Sequence, residues 1–553
     1  MEESRFWHKN YPEGMPTQVH IPNQSLYHFL DQATQKYPDH QAVIFMNQQL
    51  TYCELKERVD RFATALHVLG VKKGDRVAIM LPNCPQTVIA YYAVIRLGAI
   101  VVMNNPLYVE RELLYQLNNS GAETIIFLDQ FQPKISNIKS QTSLKVFIST
   151  GISDYLAMPA MLPAPETQPV LNPPPGTDIL CFEDLLQKNS PKPPEVELDF
   201  EKELAVLQYT GGTTGVSKGA MLTHKNLVAN VLQTGAWLTI CKEARERFFC
   251  VLPFYHVFAM TTCMNLSIYL SSAMILIPRL ELNNLLKLIN DYRPTIFQAV
   301  PSLYVAIISH PEVQQYDLSS ISCCLSGGAP LPIEVQEKFE AITGGKLVEG
   351  YGLTEAAPVT HCNPIEGKKV NGSIGLAFPN TDVKIVEVEK GLEEVPLGET
   401  GELCIKGPQV MKGYWHMPEE TAAALRDGWL YTGDIARMDE QGFTYIVDRK
   451  KDMVITWGYN VYPREVEEVL YQHPKVKEAA VIGIPDATRG EVIKAFIVLK
   501  EGQQATKEEI AGFCRKNLAN YKVPRKIEFR SELPKSPVGK ILRRMLSEET
   551  KQP

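Results

Sequence analysis

Between Thr51 and Asp129 the hydrophobic pattern changes period from segment to segment, and this alternation limits the fold of the 553-residue chain more than any other feature. "TYCELKERVDRFATALHVLG" opens with Thr51 three residues before Glu54, a capping box, and stops at Gly70. Its Leu55, Val59, Phe62, Leu66 and Leu69 recur at helical spacing and form one apolar face. "RVAIMLPN", "AIVVMNN" and "ETIIFLD" read as buried strands, separated by the helical stretches "CPQTVIAYYAVIRLG" and "RELLYQLNNSG". Apolar strands alternating with helices predict a parallel or mixed sheet covered on both faces, because a strand apolar on both sides has to be buried twice.

A chain of this length exceeds what one core supports, so two or more domains are expected. Residues 151–195 hold ten prolines, in "NPPPG" and "PKPP" among others, which predicts an insertion with little regular structure. Its Tyr155, Leu156, Met158, Met161 and Leu162 leave peripheral contact with the inner membrane face open, although an irregular surface excursion is preferred. From about residue 380 the texture shifts to short β segments, "TDVKIVEVE", "GELCIKGP" and "GFTYIVDRK". After "VDRKKDMVITWGYNVYP" come the helical "REVEEVLYQHP" and two strand patterns, the signature of a small α+β domain. The expected architecture is therefore α/β. A large N-terminal domain, 1–448, has layered mixed sheets and a β-rich subdomain; a small, mobile α+β domain covers 449–553.

Several classes are disfavoured. A net charge of −7 and a pI near 6.0 argue against a general nucleic-acid binder. Eleven cysteines run from Cys53 to Cys514 without a C-x-x-C pair, and the adjacent Cys323 and Cys324 suit neither zinc nor a disulfide framework. A reducing cytoplasmic setting is expected. "MEESRFWHKNYPEG" has no apolar h-region, so no secretory signal is expected. The most apolar region, "FFCVLPFYHVFAMTTCMNLSIYLSSAMILIP", is interrupted by Pro253, His256, Asn265 and Pro278. It predicts a buried strand, a loop and a core helix rather than a membrane span.

The glycine-rich "YTGGTTGVSKGAMLTH", Tyr209–His224, admits more than one chemistry. It fails the P-loop pattern, because Lys218 follows Ser217 and leads into a strand-like "AMLTH". Glycines 211, 212, 215 and 219 would still let backbone N–H groups form an anion nest. Thr210, Thr213, Thr214 and Ser217 add hydroxyls, and Lys218 adds a positive charge. "GVSKG" also matches G-x-S-x-G, but a nucleophile turn needs a helix to begin at once, and the nearest N-cap is Thr223, six residues later. A ligand-free flexible loop is the third reading.

Further stations follow: "SGGAPLP" at 326–332, "EGYGLTE" at 349–355, "YTGD" ending in Asp434, "DRKKD", and "PKSPVGK" ending in Lys540. Each alone is compatible with a surface turn or a solvated charge run. In this order, across nearly the whole chain, they resemble the adenylate-forming, acyl-activating enzymes. The wording "LQYTGGTTGVSKGAMLTHKNLVAN", with "NNPLY" at 104–108, looks most like the bacterial long-chain fatty acid–CoA ligases.

The resemblance implies ATP, Mg2+ and CoA as cofactors, a fatty acid as substrate, and a homodimer as the assembly. It places Thr210, Gly211, Gly212, Thr213, Thr214, Gly215 and Lys218 over the β- and γ-phosphates. Gly328, Ala329, Pro330, Glu349, Gly350, Tyr351 and Gly352 would line the adenine pocket, with Tyr351 stacked on the base. Thr354 would meet the α-phosphate, Glu355 the Mg2+, Asp434 the ribose hydroxyls, and Arg449 the ribose or phosphate. Lys540 becomes the adenylation lysine and Lys451 the hinge. Gly458 and Tyr459 lie by the pantetheine tunnel, and His256 sits at the mouth of the acyl pocket. That pocket would draw on Trp237, Phe254, Val300, Gly327, Ala356 and Ala357. The implied reaction forms acyl-AMP and pyrophosphate, then the acyl-CoA thioester. Medium-chain or aryl acids, transfer to a carrier protein, a serine hydrolase built on Ser217, and a nucleotide sensor without turnover are the competing readings. A hydrogen-bonded core histidine is the bland alternative for His256.

Overall fold

The computed structural model describes residues 5–155, 178–210, 217–456, 459–486, 490–535 and 541–551. Packing divides the chain into two compact units: residues 10–382 with 406–430, and residues 1–9 with 383–405 and 431–553.

The larger unit is built on two layered sheets. A seven-stranded sheet has the order 179–181, 146–150, 124–128, 76–80, 100–103, 204–210, 218–223, parallel except for its last pair. The strands expected at 76–80, 100–103 and 124–128 are buried along nearly their whole length. Between them in sequence runs Pro85–Arg96, buried at every position from Pro85 to Ile95, as an all-round apolar helix must be. The expected capping box is present on Tyr52–Val68. Thr51 Oγ1 accepts from the Glu54 N–H at 3.2 Å and Glu54 Oε2 from the Thr51 N–H at 2.8 Å. Leu55, Val59, Phe62 and Leu66 are fully buried.

The second sheet has nine strands. Its central members, 346–352, 323–326, 296–299, 247–250, 273–276 and 41–45, are parallel, and antiparallel strands close both edges. The apolar region expected as strand, loop and core helix forms Arg247–Cys250 followed by a helical segment from Val257 to Tyr269. The middle of that segment, Met260–Asn265, is a π-helix. Among the described residues no helix is long and apolar enough to cross a membrane.

The proline-rich stretch departs from expectation where it is described. Ile179–Cys181 adds an edge strand and Phe182–Lys188 is a helix, its Phe182 ring 4.1 Å from that of Phe62. The reason lies in the spacing: no proline occurs between Pro175 and Pro191, so the breakers bracket an ordinary amphipathic segment. The apolar residues 156–162 lie outside the described residues.

In the smaller unit Asp382–Val386, Gly401–Lys406, Trp429–Met438 and Thr444–Arg449 belong to one sheet. The boundary expected at 448/449 thus falls at the end of a strand of this unit. Trp7 packs here as well: a Cβ on Gly442 would sit 2.2 Å from Trp7 Cβ. A second sheet holds Val454–Thr456, Val476–Asp486, Gly490–Leu499 and Lys526–Phe529. The expected helix, Pro463–Tyr471, covers it through Val466 and Leu470, and Lys507–Asn517 does so through Ile510.

Candidate active site

In the larger unit the glycine loop is the connection of a β-hairpin. Leu204–Thr210 pairs antiparallel with Lys218–Thr223, in register Thr210↔Lys218 and Tyr209↔Gly219. Gly219 lets the strand pass close to the Tyr209 ring, which a Cβ there would meet at 3.1 Å. Thr223 caps the following helix, His224–Trp237, as expected. Gly211, Gly212, Thr213, Thr214 and Gly215 lie outside the described residues. Ser217 is described: its Oγ donates to the Thr210 carbonyl at 2.5 Å, and its own carbonyl accepts from Tyr115. With that proton committed to a backbone carbonyl, no base among the described residues draws on the hydroxyl as a hydrolase serine requires.

A second group gathers where three parallel strands end, the crevice position at which open α/β sheets bind ligands. Val300 follows Ile296–Ala299, Gly327 and Gly328 follow Cys323–Ser326, and Glu349–Gly352 terminate Lys346–Gly352. The glycines permit close approach. A Cβ at Gly327 would lie 3.1 Å from the Phe258 ring, and one at Gly350 2.7 Å from Leu325. Glu349, nearly buried, accepts the Leu331 N–H at 3.3 Å and so ties down the turn carrying Ala329 and Pro330. Tyr351 is half-buried and pairs with His361 across the strands.

Thr354–Ala356 forms one short turn. Asn230 fixes the strand that follows, donating to the Val359 carbonyl at 2.7 Å and accepting its N–H at 3.0 Å. The Glu355 carbonyl accepts from the Met411 N–H at 2.8 Å, and Glu355 Oε1 accepts from the Tyr414 hydroxyl at 2.6 Å. Burial, reinforced by the facing Glu355 carboxylate, raises the Tyr414 pKa and keeps the phenol protonated. Lys218 Nζ stands 5.0 Å above the same Tyr414 ring. Nothing in the sequence marks Tyr414 beyond an aromatic beside a glycine in "KGYW".

His256 is exposed, its Nδ1 accepting the Phe258 N–H at 3.3 Å, which removes the core-histidine reading. Phe254 is fully buried and its N–H donates to Asn83 Oδ1 at 2.8 Å. Asn83 in turn donates to the Cys250 and Leu252 carbonyls, stapling the loop before His256. Trp237 lies deep in the core, against Phe378 and Tyr11, with its indole N–H on the Asn363 carbonyl at 3.2 Å. Ala356 and Ala357 are also buried.

In the smaller unit Asp434 and Arg449 are cross-strand partners, Arg449 Nε to Asp434 Oδ1 at 3.1 Å. "YTGD", which alone is compatible with a surface turn or a solvated charge run, lies within the strand Trp429–Met438: Gly433 takes φ +71° and its N–H is held by Glu402 Oε1 at 3.1 Å. Lys450 pairs with Glu402 at 2.8 Å. Lys451 is exposed, between Asp448 and Asp452 in sequence; burial of part of its stem lowers its pKa. Arg543 collects three carboxylates, Glu467 at 2.5 Å, Asp452 at 3.2 Å and Asp448 at 3.4 Å. Burial pushes the Asp448 carboxyl up to about 6 against the pull of Arg543. Gly458 and Lys540 lie outside the described residues; Tyr459 opens the strand Tyr459–Val461.

The profile of the AMP-binding enzyme family matches residues 30–415, and that of the AMP-binding enzyme C-terminal domain matches 465–540. The chain is 48% identical to a long-chain-fatty-acid–CoA ligase of Bacillus subtilis (strain 168) over 99% of both chains. To one of Escherichia coli O6:H1 it is 42% identical, over 99% of this chain and 98% of that one. ATP-bound MatB from Rhodopseudomonas palustris superposes with a TM-score of 0.84 at 29% identity, covering 96% of this chain and 99% of that one. With one family profile over residues 30–415, a second over 465–540, and relatives alike from end to end, this chain belongs to the AMP-binding enzyme family.

Proposed function

We propose that the chain is an AMP-forming fatty acid–CoA ligase acting on long-chain acids. It joins the acid to AMP with release of pyrophosphate and then passes the acyl group to CoA. The observation that carries this reading is end-to-end likeness, at 48% and 42% identity, to two ligases named for that substrate class.

The first step brings a carboxylate to the α-phosphorus of ATP against like charge, so the site has to supply cations and N–H donors before bonds change. We assign that task to the hairpin loop from Thr210 to Lys218 and to Lys540. Thr354 is assigned to the α-phosphate, Asp434 to the ribose hydroxyls with Arg449 beside it, and Tyr351 to the adenine. The donor set at Glu355 fits Mg2+: Oε1 is engaged by Tyr414, while Oε2 has no partner among the described residues. One carboxylate together with substrate phosphates is an ordinary Mg2+ environment. Bound there, the ion would neutralise phosphate charge; Glu355 would hold it.

In the second step the CoA thiolate displaces AMP from the acyl carbon. We assign Gly458 and Tyr459 to the pantetheine path and Lys451 to a hinge that lets the 449–553 segment serve both steps in turn. For the acyl chain we assign Phe254, Val300, Gly327 and Ala356, with His256 at the entrance and Trp237 behind them. Each methylene buried adds about 0.8 kcal/mol, so pocket depth selects chain length.

The test is acid-dependent ATP–pyrophosphate exchange with octanoate, laurate, palmitate and a hydroxycinnamate, followed by thioester formation with CoA. Laurate and palmitate should support the highest kcat/KM in both. Preference for the hydroxycinnamate, or exchange without acyl-CoA, would overturn the assignment.

A further inference from the structure

Residues 411–415 form a strap laid across two of the stations. Met221 and Gly219 lie on the strand leading out of the glycine loop. The Met221 N–H donates to the Gly413 carbonyl and the Lys412 N–H to the Met221 carbonyl, while the Trp415 N–H donates to the Gly219 carbonyl. Ala220 and Tyr414 are the bridge partners between these two segments. One residue before this ladder the strap reaches Glu355, through the Met411 N–H. Its outer end is also fixed: the Tyr414 N–H donates to Thr421 Oγ1 at 2.9 Å and the Trp415 indole to the Asn119 carbonyl at 3.1 Å. Gly413, at φ +146°, has no room for a side chain, since a Cβ would lie 2.6 Å from Thr421.

From this backbone one side chain faces both stations. The Tyr414 ring lies under Lys218 at 5.0 Å and its hydroxyl donates to Glu355 Oε1 at 2.6 Å. The residue is 9% exposed. The two contacts use different parts of the ring system. The π-face attracts the ammonium, and the hydroxyl orients the carboxylate.

We propose that Tyr414 is a positioning residue that aims Glu355 at Mg2+ through its hydroxyl and holds Lys218 at the phosphates through its ring. This rests on the assignment of Glu355 and Lys218 above. A carboxylate that already accepts a short hydrogen bond on one oxygen presents the other in a fixed direction, which is how an outer partner tunes a metal ligand. The strap makes this possible, because it is hydrogen-bonded to the exit strand of the loop and to the Glu355 backbone at once.

The two functions separate by substitution in the full chain, and they are read by equilibrium calorimetry of ATP binding without fatty acid, with and without Mg2+. Tyr414→Phe keeps the ring and removes the hydroxyl. The Mg2+ concentration giving half the enhancement of ATP binding should rise about tenfold. ATP affinity without Mg2+ should stay within about twofold. Tyr414→Leu should repeat the Mg2+ effect and also weaken Mg2+-free ATP binding by about two- to fivefold. An unchanged Mg2+ requirement in Tyr414→Phe overturns the hydroxyl's role, and equal Mg2+-free affinities in the Phe and Leu variants overturn the ring's. Glu355→Gln separates this proposal from its foundation. If that variant keeps the full Mg2+ enhancement, Glu355 is not the ligand and the site assignment fails. If it loses the enhancement while Tyr414→Phe keeps it, the proposal alone fails. Should Tyr414→Leu not fold, Tyr414→Phe, which preserves volume, decides the hydroxyl's role, and Tyr414→Met takes the place of the Leu variant in deciding the ring's.

Discussion

At Ser217 the sequence has the spacing of a nucleophile turn, but the side chain closes a hairpin by donating to the Thr210 carbonyl at 2.5 Å. One neutral hydrogen bond of this kind contributes about 1 kcal/mol. Ser217→Ala is therefore expected to retain acid-dependent exchange within about fivefold; a folded but inactive variant would revive the hydrolase reading. Lys540→Ala should lower exchange by about 100-fold or more, as loss of a charge aimed at the transition state does, measured by the same assay. Glu355 and Asp434 are singled out by sequence alone because each sits inside a short local motif, "EGYGLTE" and "YTGD". Tyr414 is not, because its hydroxyl meets a residue 59 positions away. Asn83 and Asn230 escaped notice for the same reason: a buried asparagine looks like any polar residue until the carbonyls it serves, at 250, 252 and 359, are brought to it.

Among the elements, those announced by a cap or a clear apolar period were read from sequence, while one hidden among prolines was not. The helix capped by Thr51 and Glu54, and the one capped by Thr223, begin where their caps put them. The helix Phe182–Lys188 was missed because its proline-rich surroundings outweighed a short proline-free window whose Phe182 packs on Phe62. The helix starting at His224 carries a consequence for pH. Neither ring nitrogen of His224 has a partner among the described residues, and burial lowers its pKa to about 4; His361, also buried, falls to about 3. A folded pKa below the ordinary 6.5 means that the unfolded chain binds the extra proton first. The stabilisation is present above pH 6.5 and lost as pH falls towards about 4, amounting to about 3 kcal/mol for His224. The thermal midpoint should drop on acidification from about pH 7 to about pH 4.5, and His224→Gln should reduce that drop. An identical drop in the variant would contradict the buried-neutral assignment. In the smaller unit, Arg543→Met leaves Asp448, Asp452 and Glu467 facing one another without their cation. It should cost about 3–5 kcal/mol, seen as a lower urea midpoint; an unchanged midpoint would show the cluster to be energetically idle.

For the molecule as a whole, the alternation from Thr51 to Asp129 was enough to predict layered parallel sheets, because apolar strands and helices leave few other ways to hide both faces. The packing that groups 383–405 and 431–448 with the C-terminal residues runs through Ile446 and Asp448, which Arg464 and Arg543 hold, contacts that no local pattern announces. The candidate site shows the same division. Its stations are local motifs, but the strap from 411 to 415 that ties the loop to Glu355 exists only after folding. The central claim is that the acid is activated by joining AMP before CoA arrives, and isotope transfer tests it directly. With palmitate carrying 18O in both carboxylate oxygens, ATP and CoA, one labelled oxygen per turnover should appear in AMP, with pyrophosphate unlabelled. Label in inorganic phosphate with ADP as the co-product, or AMP free of label, would contradict the account.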